Sequence, residues 1–573
     1  MYRKFFFLLV FFVITSFLFS EEKDLSMSWI TTSKKDKKEK FFSKEEKKEI
    51  LLKGIFLTDN FSDINPFGFE HIKGIKTQEI NIPGNKYLLY YELNNFLKKP
   101  INKQLIEDIR LTIIQFYRSY NHPVVMVIPP KQELSYGVLQ LIVLEGKVAD
   151  ISIIGNKWFS SKFFKKQIKI KSGDTIEQNK IQKDIDWIDR NPFRRCYAIY
   201  SPGEKLGTTD IEFLIDDRLP FRLYGGINNT GNDVTGNNRL FAGLNSGNFL
   251  WLDQLLSYQF TSSDDFSRFH SHTLNYIIPF SWRHILSIFG GYSHSSANYA
   301  LTDVEQLFKN SGFSLQASMR YTIPFSPKGG LRQEFIWGGD FKRTNNNLNL
   351  GGQPVVAKLV NITQLMCEYN LNYHGEKTIA NLGSSFFWSP GKWISDQSGD
   401  AFGGLRPLAK NYYFYFRPTF DLSLNFYKNA KIYLLLRGQY ATENLIYCEQ
   451  YGVGGFDTVR GYKEREINFD NAFILNSEIH SPSFSIARIF YHKKIQDACQ
   501  FLFFFDLGWG EQHRTPLGEI KSSTLLSIGP AVRYNIVPYL LFRTDWGFQL
   551  RSLGSDGLPG PHQRLHFSLV LGF

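Results

Sequence analysis

Four cysteines in 573 residues, Cys196, Cys367, Cys448 and Cys499, stand far apart and match no metal-ligand spacing. Neither a disulfide framework nor a metal centre is indicated. Long apolar runs are almost as scarce: after the first twenty residues, no stretch approaches the roughly 20 apolar residues that a membrane-crossing helix needs. Catalytic signatures are missing too. The chain has no HExxH, no GxSxG and no paired carboxylates on a recognisable scaffold. GVGG at Gly452–Gly455 is followed by no Lys-Ser/Thr and preceded by no buried parallel strand, which excludes a phosphate loop. No enzyme, no cofactor and no metal are expected.

The first residues address the chain outward. Arg3 and Lys4 precede an apolar run from Phe5 to Phe19, then Ser20 and acidic Glu21 and Glu22, which reads as a secretory signal peptide over residues 1–20. An uncleaved anchor is the competing reading, but the run is short for a span of roughly 20 residues. The net charge of +12 raises nucleic acid as a partner. Export argues against it, and mixed runs such as KKDKKEK (Lys34–Lys40) suit a solvated segment. Residues 21–65 read as a Lys-rich linker, with Lys44–Leu57 open to a helix.

Two small units follow, at residues 66–147 and 148–218, each reading strand, helix, helix, strand, strand. In the first, Leu105, Ile109, Ile113, Phe116 and Tyr120 recur at helical spacing before two strands, VVMVIPP and YGVLQLIVLEG. The second opens with VADISIIGN, sets Ile181, Ile185 and Ile188 on one helix face, and closes with Ile211, Phe213 and Ile215 alternating. One apolar face per element suits a small α+β module.

From about Leu219 to Phe573 the pattern alternates instead. In LFRTDWGFQLR, Phe542, Thr544, Trp546, Phe548 and Leu550 share one face, whereas Arg543, Asp545, Gln549 and Arg551 share the other, which must meet water. Sixteen such segments occur, the first near Phe221, the sixth near Gly312, the eighth near Ala357 and the last near Leu565. With no helices to cover their apolar faces, lipid is the partner left, and a transmembrane β-barrel of sixteen antiparallel strands is expected. An aromatic content of 16%, 45 glycines and a mean hydropathy slightly on the polar side agree with it. Joins after even segments are mostly short (YHGEK, YKNA), and several after odd ones are long, as periplasmic turns and outer loops should be. The join after the twelfth is longer than this parity predicts. The last strand returns to the periplasm, with Leu565, Phe567, Leu569, Leu571 and Phe573 outward, and closes the barrel. His270 and His272 share a strand face, a spacing open to a shared metal or, as expected here, to interfacial residues near the outer end.

Three motifs in order carry a resemblance: NNTGNDVTGNNR (Asn228–Arg239) at the barrel's entry, VRGY (Val459, Arg460, Gly461, Tyr462) between the eleventh and twelfth segments, and FxDxG (Phe504, Asp506, Gly508) on the thirteenth. The chain resembles the transporters of two-partner secretion, the TpsB group related to filamentous haemagglutinin and haemolysin exporters. Asn228 stands where that family often has aspartate. The resemblance implies two polypeptide-transport-associated (POTRA) modules in the periplasm and an outer-membrane barrel. It further implies a large secreted TpsA-type partner, an adhesin or haemolysin, and a loop that folds back so that Arg460 pairs with Asp506. Alternation alone puts Asp506 inside, since Phe503, Phe505 and Leu507 take the lipid side. Lys44–Leu57 would match the pore-plugging helix of some relatives. Outer-membrane lipid and, during biogenesis, the barrel-assembly machinery are further implied partners. The alternative is an assembly insertase of the same superfamily, which usually carries more modules; a passive porin explains neither modules nor motifs.

Overall fold

Period-two alternation builds the larger part of the chain. The computed structural model describes residues 49–233, 235–300, 307–327, 329–350, 353–490, 495–551 and 562–573, and in it sixteen antiparallel strands close a barrel. The first, Phe221–Asn228, pairs with the sixteenth, Gln563–Gly572, from Asn228 opposite Ser568 to Tyr224 opposite Gly572. Phe573 extends this ladder, donating its N–H to Leu223 O at 2.9 Å and accepting from Leu223 N at 3.2 Å. Its ring is 82% exposed, on the outward side. No strand edge remains in the barrel.

On the fifteenth strand, Leu540–Gln549, Trp546 points outward and is 46% exposed, while Asp545 points inward and is fully buried. The inward face expected to meet water is thus covered there by protein. The sixth and eighth strands start at Leu307 and Gln353, earlier than alternation alone suggests. With their neighbours they run on for up to 22 residues, well past the roughly 9–11 that cross a bilayer. Beyond lipid neither face needs to be apolar, so the pattern fades before the strand ends.

The join after the twelfth strand, Asn471–His480, braces the barrel wall. Phe484 and Cys499 exchange backbone hydrogen bonds of 3.0 and 2.7 Å, and the short helix Ile486–Ile489 is held by Ala487 N donating to Asp497 Oδ2 at 3.0 Å.

The first module contains β1 (Gly54–Thr58), β2 (Gly74–Gln78), α1 (Lys86–Asn94), α2 (Lys103–Ser119), β3 (Val125–Ile128) and β4 (Val138–Glu145), with sheet order β2-β1-β4-β3. Here the expectation of a linker or helix up to residue 65 is corrected. Residues 54–58 form an interior strand, parallel to β2 and β4, and all five are buried. A strand covered on both faces carries no alternation, so its apolar run cannot be told from a helix by period. Lys44–Lys48 and the expected signal peptide lie outside the described residues. In the second module, β5 (Lys147–Ile154), α3 (Ser161–Gln167), α4 (Gln178–Ile188), β6 (Arg194–Pro202) and β7 (Thr208–Asp217) follow the expected order, with sheet order β5-β7-β6. Ile181, Ile188, Ile211, Phe213 and Ile215 form its core.

This second module is fastened to one side of the barrel. Arg194 is buried against the rings of Phe159, Phe163 and Phe164 and pairs with Asp253 in the turn between strands two and three, one contact being 3.0 Å. Asn191 Nδ2 donates to Asp253 Oδ1 at 2.9 Å and to Gly247 O at 2.7 Å. Arg283, between strands four and five, pairs with Asp184 on α4, and Arg332 on strand seven lies 3.2 Å from Asp186. Removing one partner of a buried pair typically costs about 3–5 kcal/mol. Arg194→Ala is therefore expected to undock the module, making the chain between Asp217 and Phe221 cleavable by trypsin while the barrel stays folded. Limited proteolysis with gel analysis of the barrel checks this.

Candidate functional site in the barrel lumen

The loop between the eleventh strand, Ala430–Ala441, and the twelfth turns back into the lumen. Its stem is a small hairpin, Tyr451–Val453 paired with Ile467–Phe469, and the VRGY motif lies within the span this hairpin closes. Val459 and Tyr462 join Val453, Phe469, Ile474 and Leu525 in an apolar cluster that seats the loop on the wall. Gly508 makes room for it: a Cβ there would lie 2.6 Å from Val459 Cγ2. Tyr462 Oη accepts from Leu526 N at 3.2 Å and donates to the Arg551 carbonyl.

Arg460 stands at the centre, 2% exposed. Its Nε donates to Asp506 Oδ2 and its Nη2 to Asp506 Oδ1, both at 2.7 Å, the two-pronged fit of guanidinium to carboxylate. The Arg460 backbone N–H adds a bond to Oδ2 at 3.0 Å, and Asn476 Nδ2 one to Oδ1 at 2.8 Å. Asp506 thus receives four donors, about as many as a carboxylate accepts. Phe504, next inward on the same strand, Asp497–Glu511, lies 3.6 Å beneath the guanidinium carbon.

The resemblance implied this pair, and alternation had turned Arg543 and Asp545 inward, but nothing in the sequence joined them to Arg460. Arg460 Nη1 also donates to Glu478 Oε1 at 2.6 Å and to Asp545 Oδ1 at 3.0 Å. Asp545 in turn accepts from Arg533 Nη2 at 2.6 Å and Arg543 Nε at 2.7 Å. Arg543 stacks 3.7 Å from the Phe456 ring and bonds the Phe456 carbonyl at 2.8 Å. Three arginines therefore meet three acids across four strands and one loop. Alternation held the signal: Glu478 shares a face with Asn476, and Asp545 with Arg543, all inward.

The backbone at the tip fits as closely as the charges do. Gly461 has φ +93°, its N–H donates to His566 Nε2 at 3.2 Å, and its carbonyl accepts from Gln549 Nε2 at 2.7 Å. It lies on Gly547, where a Cβ would come 2.6 Å from Arg460 C and Gly461 Cα. Gly547→Ala is expected to lift the tip with every charged partner intact, seen as faster protease cleavage within 442–470 in intact outer membranes.

The remaining candidates do not join this site. Asn228 Oδ1 caps the turn after strand one, accepting from Thr230 N at 3.1 Å and Thr230 Oγ1 at 2.6 Å. His270 and His272 face outward near the far end of strand four; His294 lies 5.2 Å from His270, ring to ring. Among the described residues, no group of three or more His, Cys, Asp or Glu side chains is placed to hold a metal.

A closed sixteen-stranded barrel, a loop anchored inside it and two small modules at one end define an outer-membrane protein transporter. Residues 207–530 match the model of the haemolysin secretion/activation protein family ShlB/FhaC/HecB, and residues 146–218 that of the POTRA family, described as a surface antigen variable number repeat. The chain belongs to the ShlB/FhaC/HecB family. It is a transporter and not an enzyme, set in the outer membrane with its modules in the periplasm. It is 22% identical over 467 residues to the heme/hemopexin transporter protein HuxB of Haemophilus influenzae, covering 78% of each chain. To the outer membrane transporter CdiB of Dickeya dadantii it is 23% identical over 385 residues, 65% of each. The structure of CdiB from Escherichia coli shares the fold, with a TM-score of 0.69 at 15% identity and 93% of each chain covered.

Proposed function

We infer that this chain carries one large secreted protein, of the adhesin or haemolysin type, from the periplasm to the cell surface through its barrel. The observation that carries the reading is the loop held within the lumen by a buried Arg460–Asp506 pair, in a barrel fastened to a periplasmic module. A fixed internal wall is suited to guiding a chain, and the attached modules to receiving it. Their sheet edges support capture by strand addition: β3 and β6 each end a sheet, and Met126, Tyr197 and Ile199 are exposed along them. No phosphate loop is present in the sequence, so folding or capture outside supplies the direction of transport. Outer-membrane lipid covers the outward aromatic side chains, Trp337, Trp388 and Phe503 among them. The barrel-assembly machinery inserts the chain.

Deleting the gene and comparing proteins in the medium and the outer membrane tests the proposal. One large protein should vanish from the medium and return when the chain is restored. An insertase would instead deplete many barrels from the outer membrane, and a medium unchanged by the deletion overturns secretion.

A further inference from the structure

The anchored loop leaves part of the wall uncovered: Arg460 is held by acids of strands twelve, thirteen and fifteen, and Glu449, nearer the loop's start, accepts from Lys342 on strand seven at 2.6 Å and from Tyr415 on strand ten at 2.8 Å. Beneath the loop, on strands thirteen to sixteen, the inward residues Phe504, Asp506, Ser527, Asp545 and His566 are fully buried. Across the barrel, on strands three to six (Gln254–Ser263, Phe269–Pro279, Ile285–Ala300 and Leu307–Pro324), inward side chains remain open to water: Thr273 is exposed, and Gln259, Asn275, Ser293 and Gln316 are half-buried.

Register sets these residues in rows around the wall. Thr261, Ser271, Ser293 and Ser314 lie opposite one another; below them come Gln259, Thr273, Gly291 and Gln316, then Ser257, Asn275, Phe289 and Ser318. Hydroxyls and amides dominate these three rows, none of which carries a charge; the row beneath them holds one, Arg320 on strand six, neutralised by Asp340 on strand seven at 2.6 Å. On the opposite wall, Arg460, Arg533, Arg543, Asp506, Glu478 and Asp545 crowd together.

These rows also stand directly over the second module. Strand three rises from the turn whose Asp253 is gripped by Arg194, and strands four and five are joined by the turn whose Arg283 is gripped by Asp184. A polypeptide leaving that module meets this wall first.

We propose that the inner face of barrel strands three to six is the track along which the exported protein passes as an extended, unfolded chain. The inference rests on the secretion reading. An extended strand presents one N–H and one C=O per residue whatever its sequence. Hydroxyl and amide side chains both donate and accept, so they match that backbone at every register. Charges would hold some segments and repel others. Rows without them bind every segment weakly and let it slide.

The test uses the full chain in living cells and, as cargo, the protein that the gene deletion removes from the medium. Thr273→Asp combined with Ser293→Asp should lower its secretion about tenfold, while Thr419→Asp, inward on strand ten near position 381 of strand nine and outside the track, leaves it within about twofold. A photo-crosslinking residue at position 273 or 293 should trap the cargo, and one at 381 should not; this reading also serves if the double variant assembles poorly. Normal secretion by an assembled double variant, or cargo trapped at 381 and not at 273 or 293, overturns the track. If the parent chain secretes no cargo, the secretion reading fails instead.

Discussion

Arg460→Ala should abolish secretion and free the loop tip, and it should be markedly more damaging than Asp506→Ala. Asp506 is fully buried, and without Arg460 it keeps only the Asn476 amide and the loop's backbone N–H as donors. Arg460 without Asp506 still has Glu478 and Asp545. Breaking a buried pair typically costs about 3–5 kcal/mol; the arginine variant should lie in that range, the aspartate variant nearer the roughly 1.5–3 kcal/mol of charged hydrogen bonds. Adding Asp506→Ala to Arg460→Ala should cost little more, because it removes the stranded carboxylate. Arg460→Lys rescues only partly, since a point charge cannot span two carboxylate oxygens and reach Glu478 as well. Secreted cargo and protease cleavage within 442–470 are the readouts. Strictly additive single effects, or an equal loss from both alanines, would contradict the network.

The parts of this arrangement differ in how far the sequence discloses them. Alternation in segments such as Leu540–Gln549 shows the strands because lipid and lumen impose opposite demands on successive residues. That same parity turns Asp506, Glu478 and Asp545 inward, and of the three Glu478 alone was not singled out beforehand. Which loop residue meets them has no local signature. A loop has no period, and the contact spans 46 positions between Arg460 and Asp506. β1 was hidden for a different reason: Ile55, Phe56 and Leu57 are covered on both faces, so burial erased the alternation that would have marked a strand. Docking of the second module was equally silent, since Arg194 and Asp253 are each an unremarkable charge beside a turn until the fold brings them together.

A second buried arginine should control a different property, the seal of the outer mouth. Arg406 ends the helix Gly399–Leu405, in the outer loop after strand nine, and is fully buried. Its Nη1 and Nη2 reach Asp470 at 2.7 and 3.2 Å, and its Nε and Nη2 reach Glu519 at 2.9 and 2.8 Å. Asp470 belongs to the loop that carries Arg460, and Glu519 to the loop after strand thirteen, so one side chain ties three outer loops together. Asp470 also accepts from Leu445 N at 2.9 Å and His513 N at 3.1 Å; among the described residues Arg406 is the one cation paired with it. Beside the clamp, Phe402, Tyr413, Tyr415, Ala441, Leu445 and Ile446 pack as an apolar cap. Arg406→Ala strands two carboxylates, one of them fully buried, at a typical cost of about 3–5 kcal/mol. The cap's loop residues, Phe402, Leu445 and Ile446, rest on wall residues Tyr413, Tyr415 and Ala441 and are tied to one another through Arg406, whereas the lumenal tip keeps its own ion pairs on the wall. The variant should therefore raise ion conductance in planar bilayers and expose 391–411 to protease, while protection of the Arg460 tip and secretion persist. Arg406→Lys should leak nearly as much, because it cannot grip two carboxylates at once. Unchanged conductance and an uncut 391–411 segment in Arg406→Ala would show that the apolar cap holds the mouth closed without the clamp.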